Sequence, residues 1–138
     1  AEGVQMGTRF VATEECDAHI NFKRAYVNSK KEDIKIIKSP VGLPGRAINN
    51  KFIQKVEKNR IVPSKCYNCL KKCDKTPYCI SEALINSVEG KTEEGLVFVG
   101  SNAYKIDKIV KVKELMKELV TEAESLYTND KMTNLLKW

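Results

Sequence analysis

Four cysteines stand within fourteen residues, Cys66-x2-Cys69-x3-Cys73-x5-Cys79. Thiolates are soft ligands that suit zinc and iron–sulfur centres. Because Asp74-Lys75-Thr76-Pro77 lets the segment fold back, the four sulfurs can converge on one metal site. The opposing reading is four thiols buried between helices, where cysteine behaves as a small apolar residue. Spacing leaves both open and does not separate iron from zinc. A second chemical feature lies at the start of the chain, Gly3-Val4-Gln5-Met6-Gly7-Thr8-Arg9-Phe10. It reads as a strand running into a Gly-Thr turn just ahead of a helix start. Such a turn exposes backbone amides, Gly7 admits a close approach, the Thr8 hydroxyl can donate, and a following helix terminus adds its dipole. The chemistry would be the grip on a phosphate, with an ordinary tight turn as the plain alternative.

Other candidates carry less. Histidine is the usual general base, yet no nucleophile or orienting carboxylate is identifiable beside His19, the single histidine. It reads as a partly exposed helix residue, and no catalytic residue is assigned within the chain. Gly90-Lys91-Thr92 has the look of the end of a phosphate-binding P-loop, but that motif needs a glycine where Ile85 stands. Arg46 could meet an anion, although a surface ion pair is the commoner fate of such a residue.

The elements that must position these residues follow from periodicity and punctuation. Residues 3–7 read as a short strand, and Thr13-Glu14-Glu15 as the start of a helix with Ala18, Phe22 and Tyr26 on one face up to about Val27. Asp33 to Lys38 reads as extended. Ser39-Pro40-Val41-Gly42-Leu43-Pro44-Gly45 packs two prolines and two glycines into seven residues, which demands an irregular loop of restricted shape. Asn49 or Asn50 caps a helix carrying Phe52, Ile53 and Val56, with Pro63 beyond its end. Ser81 to Val88 reads as a helix stopped by Gly90, and Gly95 to Gly100 as a compact buried strand or extended segment. Val112, Leu115, Met116, Leu119, Val120 and Ala123 mark the clearest amphipathic helix, and the residues up to Trp138 read as one more short helix. Helix dominates, with two or three short strands, too few for a complete sheet domain.

Composition bounds the rest. At 138 residues with 42% apolar content the chain can build a core. The net charge of +6 comes with acids interleaved among the lysines and no aromatic-basic patch, so neither nucleic acid nor membrane is expected as a partner. There is no signal-like start and no long apolar run. With five cysteines, an odd number, this points to a reducing cytoplasm. The opening without an initiator methionine is that of a segment of a longer protein.

Taken with Thr13-Glu14-Glu15-Cys16, Ala18-His19 and Asn21-Phe22-Lys23, the stretch Gly3 to Phe10 resembles the final strand and following helix of the nitronate monooxygenase family. That family, formerly the 2-nitropropane dioxygenases, includes flavin-dependent enoyl-ACP reductases. The likeness continues through Ser39 to Ile48, Ile80-Ser81-Glu82-Ala83-Leu84 and Gly100-Ser101-Asn102-Ala103-Tyr104, up to about residue 125. It implies an α/β parent, a TIM barrel that holds FMN at the carboxy ends of its strands. Residues 1–30 would be the last strand and following helix of that barrel, and residues 31–138 a mainly helical cap. Gln5, Met6, Gly7 and Thr8 match the second of two phosphate loops. The first loop and the family's catalytic histidine would lie upstream of Ala1, leaving the 138 residues alone inactive.

The activity implied is the FMN-dependent oxidation of an alkyl nitronate with dioxygen. The alternative is NAD(P)H-dependent reduction of an enoyl or enone substrate. A reading of another class is a metal-binding or nucleic-acid-binding module organised by Cys66, Cys69, Cys73 and Cys79. The first three of these resemble the run that ligates a four-iron cluster in dienoyl-CoA reductase flavoproteins, with the fourth coming sooner here.

Overall fold

The computed structural model describes residues 3–71, 73 and 75–135, with side chains up to residue 127. Its elements are α1 (Thr8–Val11), α2 (Ile20–Val27), a hairpin of β1 (Ile34–Lys38) and β2 (Pro44–Ile48), α3 (Lys51–Lys58), α4 (Ile80–Val88) and α5 (Val112–Leu135). Short 3-10 turns stand at Lys31–Asp33, Thr92–Glu94 and Ala103–Lys105. The predominance of helix over strand matches the expectation from periodicity, and α5 continues to Leu135 where a separate terminal helix was expected. The end of that expected helix, residues 136–138, lies outside the described residues.

The amino-terminal segment departs from the sequence reading. Residues 3–7 are irregular and exposed where a strand was expected, with no pairing partner among the described residues. A barrel strand is held by hydrogen bonds from its neighbours, and the described chain brings none to this segment. The helix expected to begin at Thr13 begins instead at Ile20. Thr13 is buried, and its hydroxyl turns back to donate to the Phe10 carbonyl at 2.8 Å. Around it, the Glu14 N–H donates to Val110 and the Val110 N–H to Ala12. The acid assigned to the first turn of α2 serves another helix: both Glu15 carboxylate oxygens accept from the Val112 N–H at the start of α5, at 3.0 and 3.1 Å. The cap of α2 is His19, whose Nδ1 accepts from the Asn21 N–H at 3.1 Å.

A hairpin replaces the irregular loop expected up to Gly45. β1 pairs antiparallel with β2, from Ile34 opposite Ile48 to Lys38 opposite Pro44. Pro44 opens its strand, a position where the missing N–H is tolerated. The stretch expected as a strand at residues 95–100 lies along β2: Ile48 donates to the Val97 carbonyl and Val99 to the Arg46 carbonyl. Leu96, Val97 and Val99 are buried there.

α3 forms as expected, capped by Asn50, whose side chain accepts from the Ile53 N–H at 3.0 Å. The same side chain donates to the carbonyls of Thr92 and Gly95, tying the helix start to the turn before the buried segment. α4 ends at Gly90, whose φ of +91° favours glycine.

Two apolar clusters fill the interior. In one, Ile37 and Ala47 of the hairpin meet Phe52 and Ile53 of α3, Ile80 and Ala83 of α4, and Tyr78 and Leu96. Phe52 and Tyr78 meet edge to face at 5.2 Å, a favoured aromatic geometry. In the other, Tyr26 of α2 packs on Val97, Val99 and Ala103, and its hydroxyl donates to the Phe98 carbonyl at 2.7 Å. The buried segment 96–99 contributes to both clusters and joins them.

Among the α5 residues whose side chains are described, only those of the first turns join the interior. Leu115 is fully buried, whereas Met116, Val120, Leu126 and Tyr127 are exposed. No helix among the described residues is long and apolar enough to cross a membrane.

Candidate functional site

The Gly-Thr turn is bent by the start of α1: the N–H groups of Phe10 and Val11 donate to the Gly7 carbonyl. The first amides of a helix have no partner within it, so those of Thr8 and Arg9 stand at its open end. Gln5, Met6, Gly7 and Thr8, the four expected binding residues, line one open cavity of about 510 Å³. Gly100, Ser101 and Asn102 line its other side. Thr8 Oγ1 accepts from the Gly100 N–H at 2.8 Å. Using the oxygen as acceptor fixes the rotamer and leaves the hydroxyl hydrogen free to donate.

The two glycines here have different reasons. A Cβ on Gly100 would come within 3.2 Å of Thr8 Oγ1, so a larger residue at 100 would crowd the Thr8 contact. At Gly7 the φ is −106° and a Cβ would meet open space. Neither backbone strain nor crowding within the described chain requires a glycine at that position.

Arg9 was named from sequence only as part of the matching stretch, and the structure gives it a definite place. Its Nη2 lies 3.2 Å from both carboxylate oxygens of Glu118, clamping α1 to α5. Its Nη1 is buried without a partner among the described residues, and Arg9 lines the same cavity. An unsatisfied guanidinium donor beside an open cavity suits an anionic ligand. The only sequence signal for it was an arginine following the Gly-Thr pair.

The other candidates fall as follows. His19 is exposed at the start of α2, and its ring lies against Gly90, where any Cβ would overlap it. It caps a helix. Arg46 is exposed on β2 and has no ion pair among the described residues. Cys66, Cys69, Cys73 and Cys79 line a cavity of about 110 Å³ together with Arg60 and Tyr78. All are free thiols, Cys66 and Cys69 exposed, Cys73 and Cys79 half-buried. Hydrogen bonds from the Ser81 side chain, then its backbone and the Cys79 thiol, hold the Cys69 thiol below its usual pKa. Among the described residues no three histidines, cysteines or acids stand close enough to hold a metal ion as they are.

Comparison with known proteins gives one family. The family model described as nitronate monooxygenase matches residues 1–122. A probable nitronate monooxygenase of Staphylococcus aureus (strain Newman) is 43% identical over 56 residues, 41% of this chain and 16% of the relative. That of strain JH9 is 41% identical over the same shares. Among solved structures, FabK from Thermotoga maritima superposes with a TM-score of 0.73 at 28% identity, covering 95% of this chain and 40% of FabK. A point variant of that FabK gives 0.71. The match thus spans less than half the length of each of these relatives.

Proposed function

Because the chain belongs to the nitronate monooxygenase family, we propose that it is the carboxy-terminal part of an FMN-dependent oxidoreductase, with half of the flavin-phosphate grip at Gln5, Met6, Gly7 and Thr8. The observation that carries this is the shared cavity, in which an unhindered Gly7 and a Thr8 hydroxyl free to donate face the Gly100–Asn102 turn. Close approach of a ligand supplies the reason for glycine that the described chain does not. In this reading residues 1–30 complete the barrel and residues 31–138 cap its active-site face.

The residues present fit a phosphate monoester. The Thr8 hydroxyl and the amides at the start of α1 would donate to its oxygens, and Arg9, with a donor to spare, would add positive charge. When bound, FMN would supply the redox chemistry, here the oxidation of an alkyl nitronate with dioxygen. This chain positions the phosphate and so the ring attached to it. The catalytic histidine expected of the family has no counterpart here, since His19 is occupied as a helix cap.

The likeness to FabK over nearly the whole chain favours a second reading, NAD(P)H-dependent reduction of an enoyl or enone substrate within the same family. Oxygen-electrode assays of the full-length protein discriminate. Nitronate-dependent oxygen consumption without NAD(P)H supports the first reading. Its absence alongside NAD(P)H-dependent enone reduction replaces the first with the second, and the lack of both activities contradicts the flavoenzyme assignment.

A further inference from the structure

The segment between α3 and α4 is unlike the rest of the chain. From residue 59 to residue 79 it contains neither helix nor strand among the described residues. The Ile61 N–H donates to Pro77 across its mouth, and the Thr76 N–H and hydroxyl both donate to Cys73. Tyr78, only 2% exposed, anchors its end in the core. Yet the segment carries four of the five cysteines, and all four line a single cavity. A stretch with so few backbone hydrogen bonds among its described residues is the kind that a cross-link or a metal commonly holds.

The turn at Cys66–Cys69 is already shaped for a thiolate ligand. Asn68 takes a left-handed φ of +52° and its N–H points at Cys66 Sγ, 3.4 Å away. An amide donated to sulfur from two residues on stabilises a metal-bound thiolate and orients it. The cavity of about 110 Å³ is several water volumes, so the four cysteines border a space that a metal centre could occupy. A single zinc at about 2.3 Å from each sulfur would bring them to about 3.8 Å from one another. As they stand, no three of them are gathered closely enough to hold a metal ion. Lys65, Lys71, Lys72 and Lys75 against Asp74 give this stretch positive charge, which offsets the excess negative charge of four thiolates.

We propose that Cys66, Cys69, Cys73 and Cys79 form a four-thiolate site for a soft metal centre, zinc or an iron–sulfur cluster, which draws the segment 59–79 together on binding. The site is separate from the Gly7–Thr8 cavity and shares no lining residue with it. The fifth cysteine, Cys16, lies outside the segment and takes no part.

The test is metal and acid-labile sulfide analysis of the full-length protein purified without oxygen, beside Cys66→Ser, Cys69→Ser and Cys16→Ser. Cys66 and Cys69 are exposed, and far-ultraviolet circular dichroism checks that their variants fold. The expected result is about one zinc per chain, or about four iron with matching sulfide, in the wild type and in Cys16→Ser. Cys66→Ser and Cys69→Ser should lose at least about tenfold of that load while keeping their fold. Iron with sulfide or zinc alone identifies the centre. The proposal is overturned by a wild type that stays metal-free after incubation with zinc or with ferrous iron and sulfide. Folded serine variants that keep the full load overturn it equally.

Discussion

At the scale of single residues, Thr8 and Tyr78 carry the most testable claims. Thr8 spends an oxygen lone pair on the Gly100 N–H, and its hydroxyl hydrogen stays free to donate. Removing one donor to an anion costs about 1.5–3 kcal/mol, so Thr8→Val in the full-length protein should weaken FMN binding by roughly tenfold to a hundredfold. Thr8→Ser should keep it, and fluorescence titration measures both; equal affinity in all three proteins would remove Thr8 from the site. Tyr78 is buried with a hydroxyl that has no partner among the described residues, and burial pushes its pKa up to about 12 from 10.0. The folded chain therefore holds a proton that the unfolded chain gives up first. This contribution is fully present below pH 10 and is lost as the pH rises towards 12. Tyr78→Phe should flatten that alkaline loss in denaturant titrations. At pH 7 it should leave stability unchanged or raised by about 1 kcal/mol, since the orphan hydroxyl no longer needs burying. A large loss at pH 7 would mean that the hydroxyl has a partner.

At the scale of elements, local signals were legible and long-range ones were not. The cap of α3 could be narrowed to Asn49 or Asn50 because a cap is decided within four residues, and α3, α4 and β1 follow from their own periodicity. Glu15 could not be read as the cap of α5, since the amide it accepts from belongs to Val112. β2 was missed because Pro-Gly-Arg-Ala-Ile has little strand character of its own and is extended by its pairing with β1 on one side and residues 97–99 on the other. The proposed binding residues Gln5 to Thr8 were named as a set through resemblance, whereas Gly100 joined the candidate site only when the fold brought it to Thr8. Asn50 also has a role that sequence did not reveal, holding the Thr92 and Gly95 carbonyls. Loss of a cap and of two buried hydrogen bonds should make Asn50→Ala cost about 2–4 kcal/mol. Calorimetric melting checks this, and a cost below about 0.5 kcal/mol would show that the two carbonyl contacts carry no weight.

At the scale of the whole molecule, the chain has an interior but an unfinished surface. Among the described residues the segment 3–7 has no strand neighbours, and Met116, Val120, Leu126 and Tyr127 expose apolar area along α5. In the proposed reading, the rest of the barrel would pack at both places. One phosphate loop leaves the flavin ring unheld, so the 138 residues alone should retain no FMN after gel filtration, and stoichiometric yellow flavin in that fraction would contradict the half-site account. The most direct test of the central claim compares FMN with riboflavin, which lacks the phosphate, on the full-length protein and on Gly7→Val. The account predicts that the wild type prefers FMN by roughly a hundredfold or more, from several charge-assisted hydrogen bonds. It predicts that Gly7→Val, whose side chain enters the open space beside the turn, reduces that preference at least about tenfold with riboflavin affinity nearly unchanged. An equal preference for FMN in both proteins would place the phosphate elsewhere and contradict the account.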